Sequence, residues 1–172
     1  QNYTLNYTLM MTEYQYLFVY GTLRPPQADT SADDSRYFPA LADHIRTHIP
    51  ATLAGADLYD LGAYPAATPG TRVIQGDLLQ IDAAALSIAD RIEGHPTFYR
   101  RAQGTVQTMT GPVSAWIYWA PPGLATGRLR ITNGDWFKRH LATAPAPLPP
   151  DETTVDPVLR ALVKRFAEEP CS

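Results

Sequence analysis

Tyr16-Leu17-Phe18-Val19-Tyr20 is a run of apolar and aromatic residues with no polar alternation. Its composition predicts a strand, and the missing alternation predicts cover on both faces. The run stops at Gly21-Thr22, with Pro25-Pro26 close behind. A buried strand that ends in a tight loop follows from that punctuation.

Further along the chain, strand signals dominate. Thr52 to Leu61 reads as a second strand, broken by Gly62-Ala63-Tyr64-Pro65. Pro69-Gly70 predicts another turn, and Val73 to Ile81 a third strand. Gly76 inside that strand predicts a bulge or a close backbone approach. Arg101 to Met109 and Val113 to Trp119 read as a hairpin joined through Thr110-Gly111-Pro112. Arg128 to Thr132 reads as one more short strand.

Helical signals are fewer. Asp82 to Glu93 carries an N-cap residue at Asp82 and a glycine just past its end at Gly94. Tyr37 to Ile49, in a polar segment with Asp33-Asp34 at its centre, reads as a short helix, and so does Asp135 to Leu141. Pro157 follows a capping Asp156, and Val158, Leu159, Leu162, Val163 and Phe166 fall at helical spacing. That last stripe needs cover, from its own domain or from a second copy in a homodimer. One central helix among many strands predicts an α+β domain built on a mostly closed, mixed sheet or barrel.

The domain is expected over residues 14–143. Residues 144–172 read as a stiff proline-rich linker and the amphipathic helix. Residues 1–13 read as a leader, appended residues or a frayed terminus, with Met10 or Met11 a natural start. They repeat Asn-Tyr-Thr-Leu twice, contain two Asn-x-Thr triplets and lack a secretory pattern.

The chain has 172 residues, 17 acidic against 14 basic, for a formal net charge of −3. With no Lys/Arg block, nucleic acid is not an expected partner. No window approaches the ~20 apolar residues of a membrane span. Cys171 is the single cysteine, so an intrachain disulfide is excluded, and the composition suits a reducing, cytoplasmic compartment. Beside the C-terminus it reads as a terminal thiol, not as a nucleophile. GxGxxG, P-loop, GxSxG and HExxH patterns are missing. His44 and His48 stand four apart, a metal-ligand spacing on a helix, but no acidic or cysteine partner matches them. Two solvated histidines is the plainer reading. His95 precedes Pro96, which pushes its backbone away from the helical region.

Three segments in order become recognisable as a set. They are Tyr20-Gly21-Thr22-Leu23-Arg24 after the apolar strand; Leu58-Tyr59-Asp60-Leu61-Gly62-Ala63-Tyr64-Pro65-Ala66; and Gly76-Asp77-Leu78-Leu79 with Asp90-Arg91-Ile92-Glu93-Gly94 and Phe98-Tyr99-Arg100-Arg101. Ala115-Trp116-Ile117-Tyr118 and Asn133-Gly134-Asp135-Trp136 follow. Over roughly residues 17–137 this order resembles the γ-glutamylcyclotransferase-like superfamily, which includes the AIG2-like proteins of plants. The resemblance implies a small mixed β-barrel with flanking helices, and no cofactor or metal.

It also implies a reaction. The α-amine of a γ-glutamyl compound attacks its own γ-carbonyl, closing 5-oxoproline and expelling an amine or amino acid. Glu93 matches the acid–base carboxylate that moves the proton between the two nitrogens. A free Glu titrates near ~4.3. An apolar flank at Ile88, Ala89 and Ile92, and a place in the last helical turn, both predict an upward shift. An ion pair with Arg91, Arg100 or Arg101 is the competing reading. Tyr20, Gly21, Thr22 and Leu23 match the substrate loop, where a missing side chain at Gly21 lets backbone N–H groups face a ligand. Tyr99 is a substrate-binding candidate; Arg24, Tyr64 and Tyr118 are weaker ones. The acidic stretch Asp29–Asp34 is read from charge alone as a gate to the pocket. The leaving group is left open, and so is an alternative: a non-catalytic relative that binds a small molecule in the same pocket.

Overall fold

The computed structural model describes residues 13–141 and 143–144. Five strands close a barrel: β1 (Gln15–Val19), β2 (Ile45–Asp60), β3 (Pro65–Ile81), β4 (Arg100–Thr108) and β5 (Gly111–Trp119). β1 lies between β3 and β5; β5 pairs with β4, β4 with β2, and the β2–β3 pairing closes the ring. β1 runs parallel to β5, with Leu17 opposite Trp116, while the other pairs of the ring are antiparallel. β6 (Leu129–Ile131) and β7 (Thr143–Ala144) extend the sheet beyond β2. The α+β mixed barrel with flanking helices is the observed architecture.

The unalternated run in β1 is explained by two cores. Phe18 joins Leu53, Leu58, Ile74, Leu78 and Ile117 in the barrel interior, which Trp136 and Phe137 help to fill. Leu17 and Val19 point the other way. They pack with Leu79 and Ile81 against Ala85, Leu86 and Ala89 of the helix α2 (Ala83–Glu93). A short helix, α1 (Phe38–Leu41), lays Leu41 on the same outer cluster. Each of the buried Leu, Ile, Val and Phe side chains contributes about 1.5–3 kcal/mol relative to exposure.

Several boundaries differ from the sequence reading. The helix over Tyr37–Ile49 is confined to Phe38–Leu41 and a following 3-10 turn, because Ile45–Ile49 is already strand, paired with Leu78–Ile81. His44 and His48 therefore share no helix face. Pro69-Gly70 is not a turn; it lies within β3, with Ala56 opposite Pro69 beside a register shift at Ala54/Ala56. A local irregularity accommodates a residue that cannot donate to the ladder. Gly76 marks a close approach: a Cβ there would stand 2.3 Å from the Val19 carbonyl oxygen. The proline linker beyond Ala144, the amphipathic stripe at 158–166, Cys171 and the first twelve residues lie outside the described residues.

Candidate active site

Local signals in α2 set the site's position. Asp82 caps its start, accepting the Ala85 N–H at 2.8 Å and pairing with His44 Nδ1 at 3.0 Å. Gly94 ends it with a left-handed φ of 65°, and His95 N–H returns to the Asp90 carbonyl at 2.9 Å. That is a Schellman closure, which only a residue free of a Cβ penalty adopts readily. The loop then turns back: Phe98 N–H donates to the Gly94 carbonyl at 2.8 Å and Tyr99 N–H to the Glu93 carbonyl at 3.1 Å. Glu93 and Tyr99, six positions apart, are thereby clamped side by side.

Tyr20, Gly21, Thr22, Leu23, Glu93 and Tyr99 all line one pocket of about 700 Å³, its open mouth included. Tyr64 and Tyr118 line it as well. Arg24 does not. Its buried guanidinium lies away from the pocket, between Asp77 at 2.7 Å and Asp135 at 2.9 Å, over the Phe137 ring. Sequence reasoning missed Tyr37, Pro65, Ile92 and Phe98 on the pocket wall. The neighbour relation of Phe98 to Tyr99 was a usable signal; nothing local marked Tyr37. It arrives because its N–H donates to the Thr22 carbonyl at 3.1 Å, while Arg36 donates to the carbonyl of Ala63. No acidic residue of the Asp29–Asp34 stretch lines the pocket. Asp34 is paired with Arg139 at 2.9 Å instead.

Among the described residues Glu93 is the one charged side chain on the wall. Burial pushes its pKa from 4.5 up to about 7. Desolvation is the cause, since it disfavours the charged form. Among the described residues no donor reaches its carboxylate, so the ion pair with Arg91, Arg100 or Arg101 is not formed. Arg101 is taken by Asp90, in a two-pronged contact of 2.7 and 3.2 Å, and Arg100 by the Pro96 carbonyl at 3.2 Å.

The loop after β1 is a tight turn, with Arg24 N–H on the Gly21 carbonyl at 3.0 Å. Among the described residues the N–H groups of Thr22 and Leu23 have no acceptor. Gly21 has a packing reason for being glycine: a Cβ would come within 2.6 Å of Pro65 Cγ. The phenols around Glu93 are tied down. Tyr20 donates to the Tyr118 carbonyl at 2.6 Å, Tyr99 to the Pro65 carbonyl at 2.9 Å, and Tyr118 to Asp90 Oδ1 at 2.7 Å. Burial, then the charge of Glu93, raises the pKa of Tyr20 and Tyr99; for Tyr118 burial is followed by the Asp90 hydrogen bond and charge and then Glu93. His95 stays off the wall; its Nδ1 accepts the Arg101 N–H at 3.3 Å and its ring stands edge-on to Tyr118.

A family model described as "Gamma-glutamyl cyclotransferase, AIG2-like" matches residues 17–138. The chain belongs to that family. Family members that it resembles include a "Putative gamma-glutamylcyclotransferase" of Vibrio cholerae serotype O1, 34% identical over 126 residues, covering 72% of this chain and 96% of the relative. The "Gamma-glutamylcyclotransferase family protein YtfP" of Escherichia coli K12 is 30% identical over 123 residues, with the same coverage of 72% and 96%. Among solved structures, an AIG2-like protein from Mus musculus shares the fold, with a TM-score of 0.52 at 20% identity, over 66% of this chain and 84% of that one. Among the described residues no helix is long and apolar enough to cross a membrane.

Proposed function

We propose that the protein is a γ-glutamyl cyclotransferase, releasing 5-oxoproline and an amine or amino acid from a γ-glutamyl compound, with Glu93 as the proton carrier. The observation that carries this reading is a carboxylate with a pKa near 7, unpaired among the described residues, in the wall of a pocket also lined by Thr22 and Leu23, whose backbone N–H groups have no acceptor among those residues.

The α-ammonium of the substrate cannot attack until it loses a proton. Ionised Glu93 accepts that proton, and the freed nitrogen forms its bond to the γ-carbonyl carbon. The tetrahedral intermediate collapses by breaking the bond to the departing nitrogen, which receives the proton from Glu93. A second proton leaves the α-nitrogen as the lactam N–H is established. It follows the first through Glu93, so the product departs as an ammonium ion. A pKa near 7 suits both halves of this cycle, since the group must accept and release with similar ease. The N–H groups of Thr22 and Leu23 are suited to the substrate carboxylate or to the oxyanion on the γ-carbonyl. The narrow pocket contributes by holding a flexible chain folded for attack.

The test is release of 5-oxoproline from a panel of γ-glutamyl amino acids, γ-glutamyl-lysine and glutathione. The expected result is product from at least one of them and a loss of ~10²–10⁴-fold in Glu93→Gln. No product from any panel member would leave the non-catalytic, ligand-binding reading in its place.

A further inference from the structure

A phenol has one proton to donate and lone pairs to accept with. In this pocket that proton is already committed. Tyr99 faces a backbone carbonyl, that of Pro65, which can only accept. Tyr118 faces Asp90 Oδ1, which also receives Arg101 Nε at 2.7 Å. Burial pushes the Asp90 pKa up, but the Arg101 hydrogen bond, the Tyr118 hydroxyl and the Arg101 charge outweigh it and hold it below the usual carboxylate value. Asp90 is thus an ionised, acceptor-only group, and Tyr118 must be the donor. Both phenols line the same pocket as Glu93, whose charge adds to the burial that raises their pKa. What Glu93, Tyr99 and Tyr118 have left to offer a ligand is lone pairs and negative charge. Tyr20 adds less, because its oxygen is also approached by the Ala67 N–H.

We propose that the end of the pocket beside Glu93 is an acceptor-only subsite for the substrate's α-ammonium group, formed by Glu93 with the Tyr99 and Tyr118 oxygens, and that Asp90 is the positioning residue that keeps Tyr118 an acceptor. The proposal rests on the γ-glutamyl reading of the pocket. It assigns the orientation of the substrate: α-ammonium toward α2, carboxylate toward the N–H groups of the Thr22 loop. It also makes recognition of the amine a matter of binding, separate from the proton transfer that Glu93 performs.

The experiment uses the full chain carrying Glu93→Gln, and two probes titrated by calorimetry. One is L-γ-glutamyl-methylamide; the other is N-methylglutaramate, the same chain without the α-amine. With the Glu93 charge removed, the amine-bearing probe is expected to bind about tenfold more tightly, the worth of a hydrogen bond from a charged donor. Adding Tyr118→Phe, or in a separate protein Tyr99→Phe, should shrink that ratio to within about threefold. Tyr118→Phe leaves Asp90 its Arg101 partner, and the two separate variants guard against one failing to fold. A merely structural role for the phenols would weaken both probes alike and leave the ratio unchanged, which overturns the proposal. So does a ratio near one, or no binding of the amine-bearing probe, in the Glu93→Gln protein. Undiminished 5-oxoproline release by Glu93→Gln would instead count against the catalytic reading, and the binding ratio would still report on the subsite.

Discussion

Arg24 Nε donates to Asp77 Oδ2 at 2.7 Å with the two side chains only 4% and 8% exposed. The same guanidinium reaches Asp135 at 2.9 Å and lies 4.1 Å over the Phe137 ring. Removing one partner of a buried pair leaves an uncompensated charge, at a cost of about 3–5 kcal/mol. Asp135 still holds the guanidinium in Asp77→Ala, so the lower end applies. Denaturant unfolding should show a loss of about 3 kcal/mol in that variant. A loss under about 1 kcal/mol would mean that the pair is not holding the β1 loop to β3.

This cluster also shows what a sequence can and cannot disclose. Arg24 ends the Tyr-Gly-Thr-Leu-Arg segment, Asp77 belongs to Gly-Asp-Leu-Leu, and Asp135 to Gly-Asp-Trp. The segments are recognisable in order, yet nothing local says that their charges meet. The α2 helix was legible because its signals are local: Asp82 caps one end and Gly94 closes the other. Glu93 and Tyr99 come together through a six-residue turn, so they too are within reach of sequence. Ile45–Ile49 was misread as helix because pairing with Leu78–Ile81, 29 to 36 positions away, decides it. Tyr37 reaches the pocket through contacts to Thr22 and a neighbour's contact to Ala63, which no spacing encodes.

Gly76 should tolerate no side chain. A Cβ would stand 2.3 Å from the Val19 carbonyl oxygen and 2.7 Å from the Phe18 ring, just past the Val19–Asp77 pair that ends the β1–β3 pairing. Neither neighbour can yield without moving β1. Gly76→Ala is expected to cost about 1–3 kcal/mol or more, the range for overpacking a core. Gly123→Ala is the control, since nothing lies within 4 Å of a Cβ there. Comparable melting temperatures for the two variants would contradict the close approach.

Asp82 gives a prediction in pH. Its side chain accepts the Ala85 N–H and pairs with His44. The Ala85 hydrogen bond first, then that with His44, holds its pKa below the ordinary 3.8. A depressed carboxylate contributes stability that is present above the unfolded pKa and is lost as pH falls through the folded one. Asp82→Ala should therefore cost about 1 kcal/mol at neutral pH, the usual worth of an N-cap. The gap to the parent should close on acidification below pH 3.8. A gap that persists in acid would show that the cap does not act through its charge.

Glu93 has the opposite sign. Its folded pKa, about 7, lies above the 4.5 of the ordinary group. Below pH 4.5 both states hold the proton and no penalty arises. Between 4.5 and 7 the unfolded chain binds fewer protons than the native one, so stability falls as pH rises. Above 7 the buried carboxylate is ionised in both states and the penalty is constant. Gln carries no such charge, so Glu93→Gln should gain on the parent across that window by about 3 kcal/mol and then hold its lead. If Glu93 must be ionised to accept the first proton, kcat/KM should rise through the same value near 7, and the variant should lack that limb. Urea unfolding across pH and a pH–rate profile then report one titration by two routes. A flat stability difference, or an activity limb that survives the substitution, would mean that the group titrating near 7 is not Glu93.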